Sequence, residues 1–169
     1  YDEHSHARMQ GEIKGALASG KTLALVTDAG TPGIADPGTR LVAAVREALP
    51  EVTIVPVPGP SALITALSAA GIPAEHFAFL GYPPAKKGRE TFFKDLATLS
   101  VRPAVLYESP HRVEKTLAGL EKVLGGAHEL FVARELTKMY EELWSGSIAE
   151  ALAHFSGDHL RGEFVIIIR

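Results

Sequence analysis

Cysteine is absent from the 169 residues, which excludes disulfides and cysteine metal ligands and fits a reducing, cytoplasmic setting. Long apolar runs are absent too. The longest late run, Phe164–Ile168, is strand-sized, so no segment reads as a membrane span and no membrane partner is expected. Tyr1–Gln10 is polar and histidine-rich, unlike a signal peptide. Neither charge sign is in large excess: 17 Lys and Arg against 20 Asp and Glu give a net charge of −3. Nucleic-acid contact must therefore come from local patches. His4 and His6 lie two apart, which does not put both on one helical face, and no metal site is expected. No internal repeat or low-complexity segment is present.

What is present is an apolar fraction of 46%, enough for a core, in a length that allows one ordinary domain or two small ones. The most informative stretch is Leu23–Leu41. An apolar run, Leu23 to Val26, breaks into Asp28-Ala29-Gly30-Thr31-Pro32-Gly33 and then Asp36-Pro37-Gly38, and a helical pattern follows. A buried strand, a glycine- and proline-rich turn and a helix start make a ligand site at the carboxyl edge of a sheet. Asp36 suits an N-cap and Pro37 the first helical position. A plain connection between strand and helix is the competing reading of the same loop.

Gly15–Thr22, GALASGKT, fits the phosphate-loop pattern letter for letter. That motif needs a strand before it and a helix after it. Here a helix over Asp2–Ala18 comes before and a strand over Thr22–Val26 after, so the match carries no nucleotide site.

The pattern predicts a helix through Leu41, Val42, Val45 and Leu49, a strand over Thr53–Val57 and an apolar helix over Ser61–Ala70. This β-α-β-α order predicts a parallel sheet covered by helices. A domain boundary is placed at Pro73–Glu75, giving units over 1–73 and 74–169. Beyond it come strand Phe77–Gly81, a loop with Lys86, Lys87 and Arg89, and helix Glu90–Leu99. Strand Ala104–Tyr107, a helix from Ser109-Pro110 to Leu124 and strand Glu129–Ala133 follow. Ser147 and Glu150 form a capping box for helix Ile148–Phe155, and Phe164–Ile168 is the last strand.

Five stretches together carry a family resemblance. They are Asp28–Gly38, Pro58-Gly59-Pro60-Ser61-Ala62, Tyr107-Glu108-Ser109-Pro110-His111-Arg112, Ala133-Arg134-Glu135-Leu136-Thr137-Lys138 and Gly162-Glu163-Phe164-Val165. In this order the chain resembles the tetrapyrrole methylase superfamily. More narrowly, it resembles the bacterial branch that methylates a cytidine ribose 2′-hydroxyl in small-subunit ribosomal RNA. The resemblance implies two small α/β domains with S-adenosylmethionine in a cleft between them, and a homodimer acting on that RNA or on the assembled small subunit. Members open with a strand carrying a Pro-Ile-Gly-Asn turn and then an acidic Asp-Thr-Arg segment. Neither stands in these residues, so the first strand of the sheet is expected to be missing, as is the branch's small C-terminal domain.

By the same resemblance the cofactor contacts are Thr31, Pro32, Gly33 and Ile34, then Pro60, Ser61 and Ala62. Tyr107, Glu108, Ala133, Arg134, Glu163 and Phe164 line the other wall. Ser61 also reads as a helix cap and Phe164 as core. Methylating a ribose hydroxyl needs a positioned oxygen and a base or nearby cation, for which Glu108, His111, Glu135 and Lys138 are the candidates. Lys86, Lys87, Arg89, Arg112 and Arg134 suit RNA phosphates. The competing readings are a solvated loop for the lysines and a mutual ion pair for Glu108 and Arg134. Two alternative functions stand beside this one. One is the same fold acting on a tetrapyrrole or modified-histidine acceptor; the other is a non-catalytic RNA- or partner-binding module.

Overall fold

The computed structural model describes residues 6–169, and the chain divides into two compact units, Tyr1–Ser61 and Ala62–Arg169. The fold is α/β, with six α-helices and five strands among the described residues. No helix among them is long and apolar enough to cross a membrane.

In the first unit, α1 (His6–Ala18) ends at Gly20, whose φ of 81° lets the chain turn out of the helix. The predicted helix begins at Asp2, and its first residues, Asp2–Ser5, lie outside the described residues. Gly15–Ala18 lies inside α1, so the phosphate-loop lookalike has its helix on the wrong side. α2 (Thr39–Ala48) buries Leu41 and Val45. It begins later than the sequence suggests: its N-cap is Gly38, and Asp36 and Pro37 remain in the loop. Gly38 takes a φ of 143°, and a Cβ there would come within 2.9 Å of a Leu25 methyl. The loop thus folds back onto the residues before it, and this close approach delays the helix.

The parallel sheet predicted for this unit is not found. Thr22–Val26 and Thr53–Val57 form no ladder among the described residues. Leu23, Val26, Val55 and Val57 stay exposed. An apolar run becomes a strand only when a neighbour takes its N–H and C=O groups, and among the described residues none does.

In the second unit, α3 (Ala62–Ala69) is followed by β1 (Ala78–Gly81), α4 (Arg89–Thr98), β2 (Ala104–Glu108) and α5 (Val113–Leu124). β3 (Glu129–Arg134), β4 (Glu142–Ser147), α6 (Ile148–His154), a 3₁₀ turn over Gly157–Leu160 and β5 (Phe164–Ile168) complete it. The sheet order is β1-β2-β5-β3-β4. β1 and β2 are parallel, and all other neighbours are antiparallel. β4 is a strand that the sequence pattern does not reveal.

Alternation along the central strands feeds two cores. Leu106, Val132 and Ile166 meet Phe93, Leu117, Leu120 and Phe155 from α4, α5 and the end of α6. Val105, Phe131, Val165 and Ile167 meet Leu63, Ala66 and Leu67 of α3 on the other face. α3 therefore belongs with this sheet, ahead of the predicted boundary at Pro73–Glu75, because its apolar face has a buried partner there. α6 carries the expected capping box: Glu150 N–H donates to Ser147 Oγ at 3.3 Å and Ser147 N–H to Glu150 Oε2 at 2.8 Å. α5 starts at Val113 rather than at Ser109-Pro110, since a turn comes first, with Arg112 and Val113 N–H both donating to the Ser109 carbonyl.

The α4–α5 contact sets a steric limit. A Cβ on Gly119 would stand 2.5 Å from Phe93 Cε2, and Phe93 is buried. Gly119→Ala is expected to destabilise the protein by about 1–3 kcal/mol through overpacking, despite the better helix propensity of alanine. Urea unfolding should show a lower midpoint at an unchanged slope.

Candidate functional site

β1, β2 and β3 run one way and β4 and β5 the other. The ends of the first three and the starts of the last two therefore share one edge of the sheet. Register places Glu108 and Arg134 each opposite Phe164, and Arg134 opposite Glu142. Most second-unit residues named from the sequence lie at this edge, in three polar clusters.

The first cluster surrounds Glu108, whose side chain is fully buried. Its Oε1 accepts from Ser109 N–H and from the Arg112 guanidinium, both at 2.8 Å, and its Oε2 accepts from Thr116 Oγ1 at 2.6 Å. Arg112 also donates to the Pro83 carbonyl at 3.1 Å and sits over the Tyr82 ring. Arg89 donates to Thr116 Oγ1 at 2.8 Å and to the Pro84 carbonyl at 3.0 Å. Burial lowers the Arg89 pKa, with Glu108 opposing that shift and Arg112 adding to it. Two arginines named as phosphate contacts are thus turned inward, and they clamp the loop before α4 onto the end of β2. Lys86 and Lys87 remain exposed on that loop, and His111 is exposed in the turn before α5.

The competing reading, a Glu108–Arg134 pair, is not what forms. β5 lies between β2 and β3, so each residue finds a partner elsewhere. Arg134 Nε donates to Glu142 Oε2 at 2.8 Å and its NH1 to the Arg161 carbonyl at 3.2 Å. Glu142 also bonds His154 Nε2 at 2.5 Å. Burial pushes its carboxyl pKa up, but the His154 and Arg134 bonds outweigh that and leave it lowered. Glu142 and Thr116 escaped the sequence reading. Glu142 lies on the unrecognised β4, and Thr116 looks like an ordinary helix residue.

The third cluster is Glu135, Lys138 and Glu163. Lys138 Nζ donates to Glu135 Oε1 at 2.8 Å and to Glu163 Oε2 at 2.9 Å. Glu163 N–H donates to Glu135 Oε1 at 3.0 Å, and Glu135 N–H to the Glu163 carbonyl at 2.9 Å. Gly162 makes this crossing possible, because a Cβ there would lie 2.2 Å from Glu135 Cγ. Its φ of 90° also disfavours any side chain.

Tyr107 faces α3 and accepts a 3.0 Å hydrogen bond from Leu63 N–H in its first turn, with Phe79 and Tyr82 packed edge-on against its ring. Ala133 is buried under α3, and Phe164 is buried against Phe155, so the Phe164 side chain is core. In the first unit, Ile34 N–H closes a turn onto the Thr31 carbonyl, and Ile34 is 48% exposed. Gly30 and Gly33 have positive φ there, and a Cβ on Gly30 would meet nothing within 4 Å. Such a loop offers open backbone beside an apolar side chain.

The family model for Tetrapyrrole (Corrin/Porphyrin) Methylases matches residues 2–152. The chain belongs to this family. The tetrapyrrole methylase fold is also that of solved relatives. The methyltransferase CobJ superposes with a TM-score of 0.67 at 21% identity, covering 95% of this chain and 70% of that one. Uroporphyrin-III C-methyl transferase from Thermus thermophilus, complexed with S-adenyl homocysteine, gives 0.61 at 17% identity, covering 95% and 73%. Within the family the chain is 43% identical to Ribosomal RNA small subunit methyltransferase I of Synechocystis sp. over 99% of its own length and 59% of that protein. It is 43% identical to the protein of that name from Vibrio cholerae over 98% and 58%. The chain thus spans about three-fifths of the length of these curated relatives.

The Lys138 cluster predicts a pH dependence. The Lys138 hydrogen bond, helped by the Glu163 N–H, holds the Glu135 carboxyl below its ordinary pKa, and the Glu135 and Glu163 bonds raise that of Lys138. The carboxylate contribution to stability is full above the unfolded-state pKa of Glu135 and is lost as pH falls through the lowered folded one. The lysine contribution is full below its unfolded pKa and is lost as pH rises through the raised folded one. In Glu135→Gln the fall in urea midpoint below about pH 4.5 should be shallower than in the parent, while the two stay parallel from about pH 6 to 8.

Proposed function

We propose that this chain is the catalytic part of an S-adenosylmethionine-dependent methyltransferase that modifies a cytidine ribose 2′-hydroxyl in small-subunit ribosomal RNA. The observation that carries this reading is the 43% identity, over nearly the whole chain, to proteins named for ribosomal RNA methylation. The methyltransferase CobJ and the uroporphyrin-III C-methyl transferase, by contrast, share 21% and 17% identity with this chain, a likeness of fold alone. The working species in this reading is a homodimer in the cytoplasm.

Each unit, taken by itself, offers groups that suit part of the cofactor. The Thr31–Ile34 turn supplies backbone groups next to the exposed Ile34, suited to a nucleoside with an apolar face. Pro60, Ser61 and Ala62 lead into α3, whose first turn Tyr107 fixes. Arg134 is held in place by Glu142. When bound, S-adenosylmethionine supplies a methyl group on a cationic sulfur. The acceptor oxygen therefore needs positioning and loss of its proton rather than further activation.

Among the four candidate bases, Glu108 has both oxygens spent inside the protein and acts as a clamp. Lys138 is half-exposed and already lies between two carboxylates. Its ammonium donates to the ribose hydroxyl and stabilises alkoxide character as the oxygen attacks, and the exposed Glu163 carboxylate takes the proton. Glu135 positions the lysine. Lys86 and Lys87 contact RNA phosphates.

Lys138→Met is expected to lower methyl transfer to small ribosomal subunits about 100-fold or more, measured with labelled S-adenosylmethionine. Calorimetric affinity for the cofactor should change less than about threefold. Loss of binding instead would make Lys138 a cofactor residue, and full activity would remove it from the mechanism. Lys86→Gln with Lys87→Gln should weaken RNA binding and make its salt dependence shallower by up to about two phosphate contacts. An unchanged slope would return the two lysines to plain solvated surface.

A further inference from the structure

β4, α6 and the following 3₁₀ turn bring together three groups that the methyl-transfer chemistry does not use as reactants. These are Glu142, His154 and His159, whose ligand atoms all lie within 4.8 Å of one another. Glu142 Oε1 is 2.5 Å from His154 Nε2, and Glu142 Oε2 is 3.7 Å from His159 Nδ1. The surroundings are built rather than loose. Trp144 stacks on the His154 ring at 5.7 Å and 17°, and Phe155 meets that ring edge-on. His159 lies against it at 4.8 Å. Arg134 holds Glu142 Oε2 and leaves Oε1 toward the imidazole. Gly146 belongs to the same arrangement, because a Cβ there would collide with the Trp144 ring at 2.7 Å.

We propose that Glu142 Oε1, His154 Nε2 and His159 Nδ1 form a binding site for a divalent transition-metal ion of the zinc class. Two imidazoles and a carboxylate suit Zn²⁺, Ni²⁺ or Cu²⁺ rather than Mg²⁺ or Ca²⁺, which prefer all-oxygen shells. Metal bonds of about 2.0 Å put tetrahedral ligand atoms about 3.3 Å apart. Entry of the ion therefore widens the Glu142–His154 contact slightly and draws His159, half-exposed on its short turn, inward. Arg134 stays as the outer partner that orients the carboxylate, as is usual around metal ligands. A bound ion would fasten the turn before β5 to β4. The site depends neither on the proposed substrate nor on the methyl-transfer step.

Trp144 is the only tryptophan, and it stacks on a ligand ring, so its emission reads the site directly. The experiment titrates tag-free protein with Ni²⁺ and then with Zn²⁺ in competition. The expected result is saturable quenching by about half or more at one ion per chain, reversed by Zn²⁺ and untouched by Mg²⁺. His159→Ala and His154→Ala should each raise the Ni²⁺ concentration needed by about tenfold or more. His159 is on the surface, so its variant decides the matter even if His154→Ala loses its fold, which circular dichroism would reveal. Absence of quenching, or equal quenching in His159→Ala and the parent, overturns the proposal. Equal competition by Mg²⁺ overturns it as well.

Discussion

A sheet covered on both faces leaves polar side chains only its ends. β2, β3 and β5 bury alternate residues against α3 on one side and against α4, α5 and α6 on the other. No position in their middle tolerates a charge without a partner. The charged residues Glu108, Arg134 and Glu163 therefore collect where the strands finish or begin, and strand direction puts those points on one edge. The polar groups on that edge are placed by backbone register as much as by their own contacts.

The two kinds of cation near this edge behave differently for a physical reason. Arg89 and Arg112 have planar, forked donors, and each binds a backbone carbonyl and a side-chain oxygen at once. Such groups can be turned inward with their charge balanced, here by the buried Glu108. Lys86 and Lys87 carry compact, strongly hydrated charges and stay in water. The loop between β1 and α4 is thus anchored by its arginine and offers its lysines.

Much of this was legible in the sequence, and the failures have identifiable causes. The runs Ala104–Tyr107, Glu129–Ala133 and Phe164–Ile168 are strands because apolar runs buried on both faces announce themselves. The Ser147–Glu150 box is local chemistry, and it caps α6 as those two residues predict. The tetrapyrrole methylase family is readable from five short motifs taken in order, four of them carrying glycine or proline. β4 was not readable: Glu142–Ser147 mixes Glu, Trp, Ser and Gly at an edge where only one side is covered. With β4 unseen, the partner of Arg134 and the meeting of Glu142 with His154 and His159 were unseen too. Thr22–Val26 and Thr53–Val57 failed for the opposite reason: pattern can propose a strand, but only a neighbour can make one. Strand order, which set Glu108 and Arg134 apart, is a long-range property that no local window holds.

The last of the five described strands lies in the middle of the sheet. β5 takes its ladder bonds from β2 on one side and β3 on the other, and no direct β2–β3 pairing joins the two halves. As the polypeptide leaves the ribosome, the β1–β2 and β3–β4 pieces have no ladder between them until Phe164–Ile168 emerges, and only helix packing spans the two. Until then both halves show open edges, the state in which a nascent chain is most prone to pair with a neighbour. The centre of this sheet is completed by the last of its five strands, so the second unit closes only when Phe164–Ile168 has joined both halves.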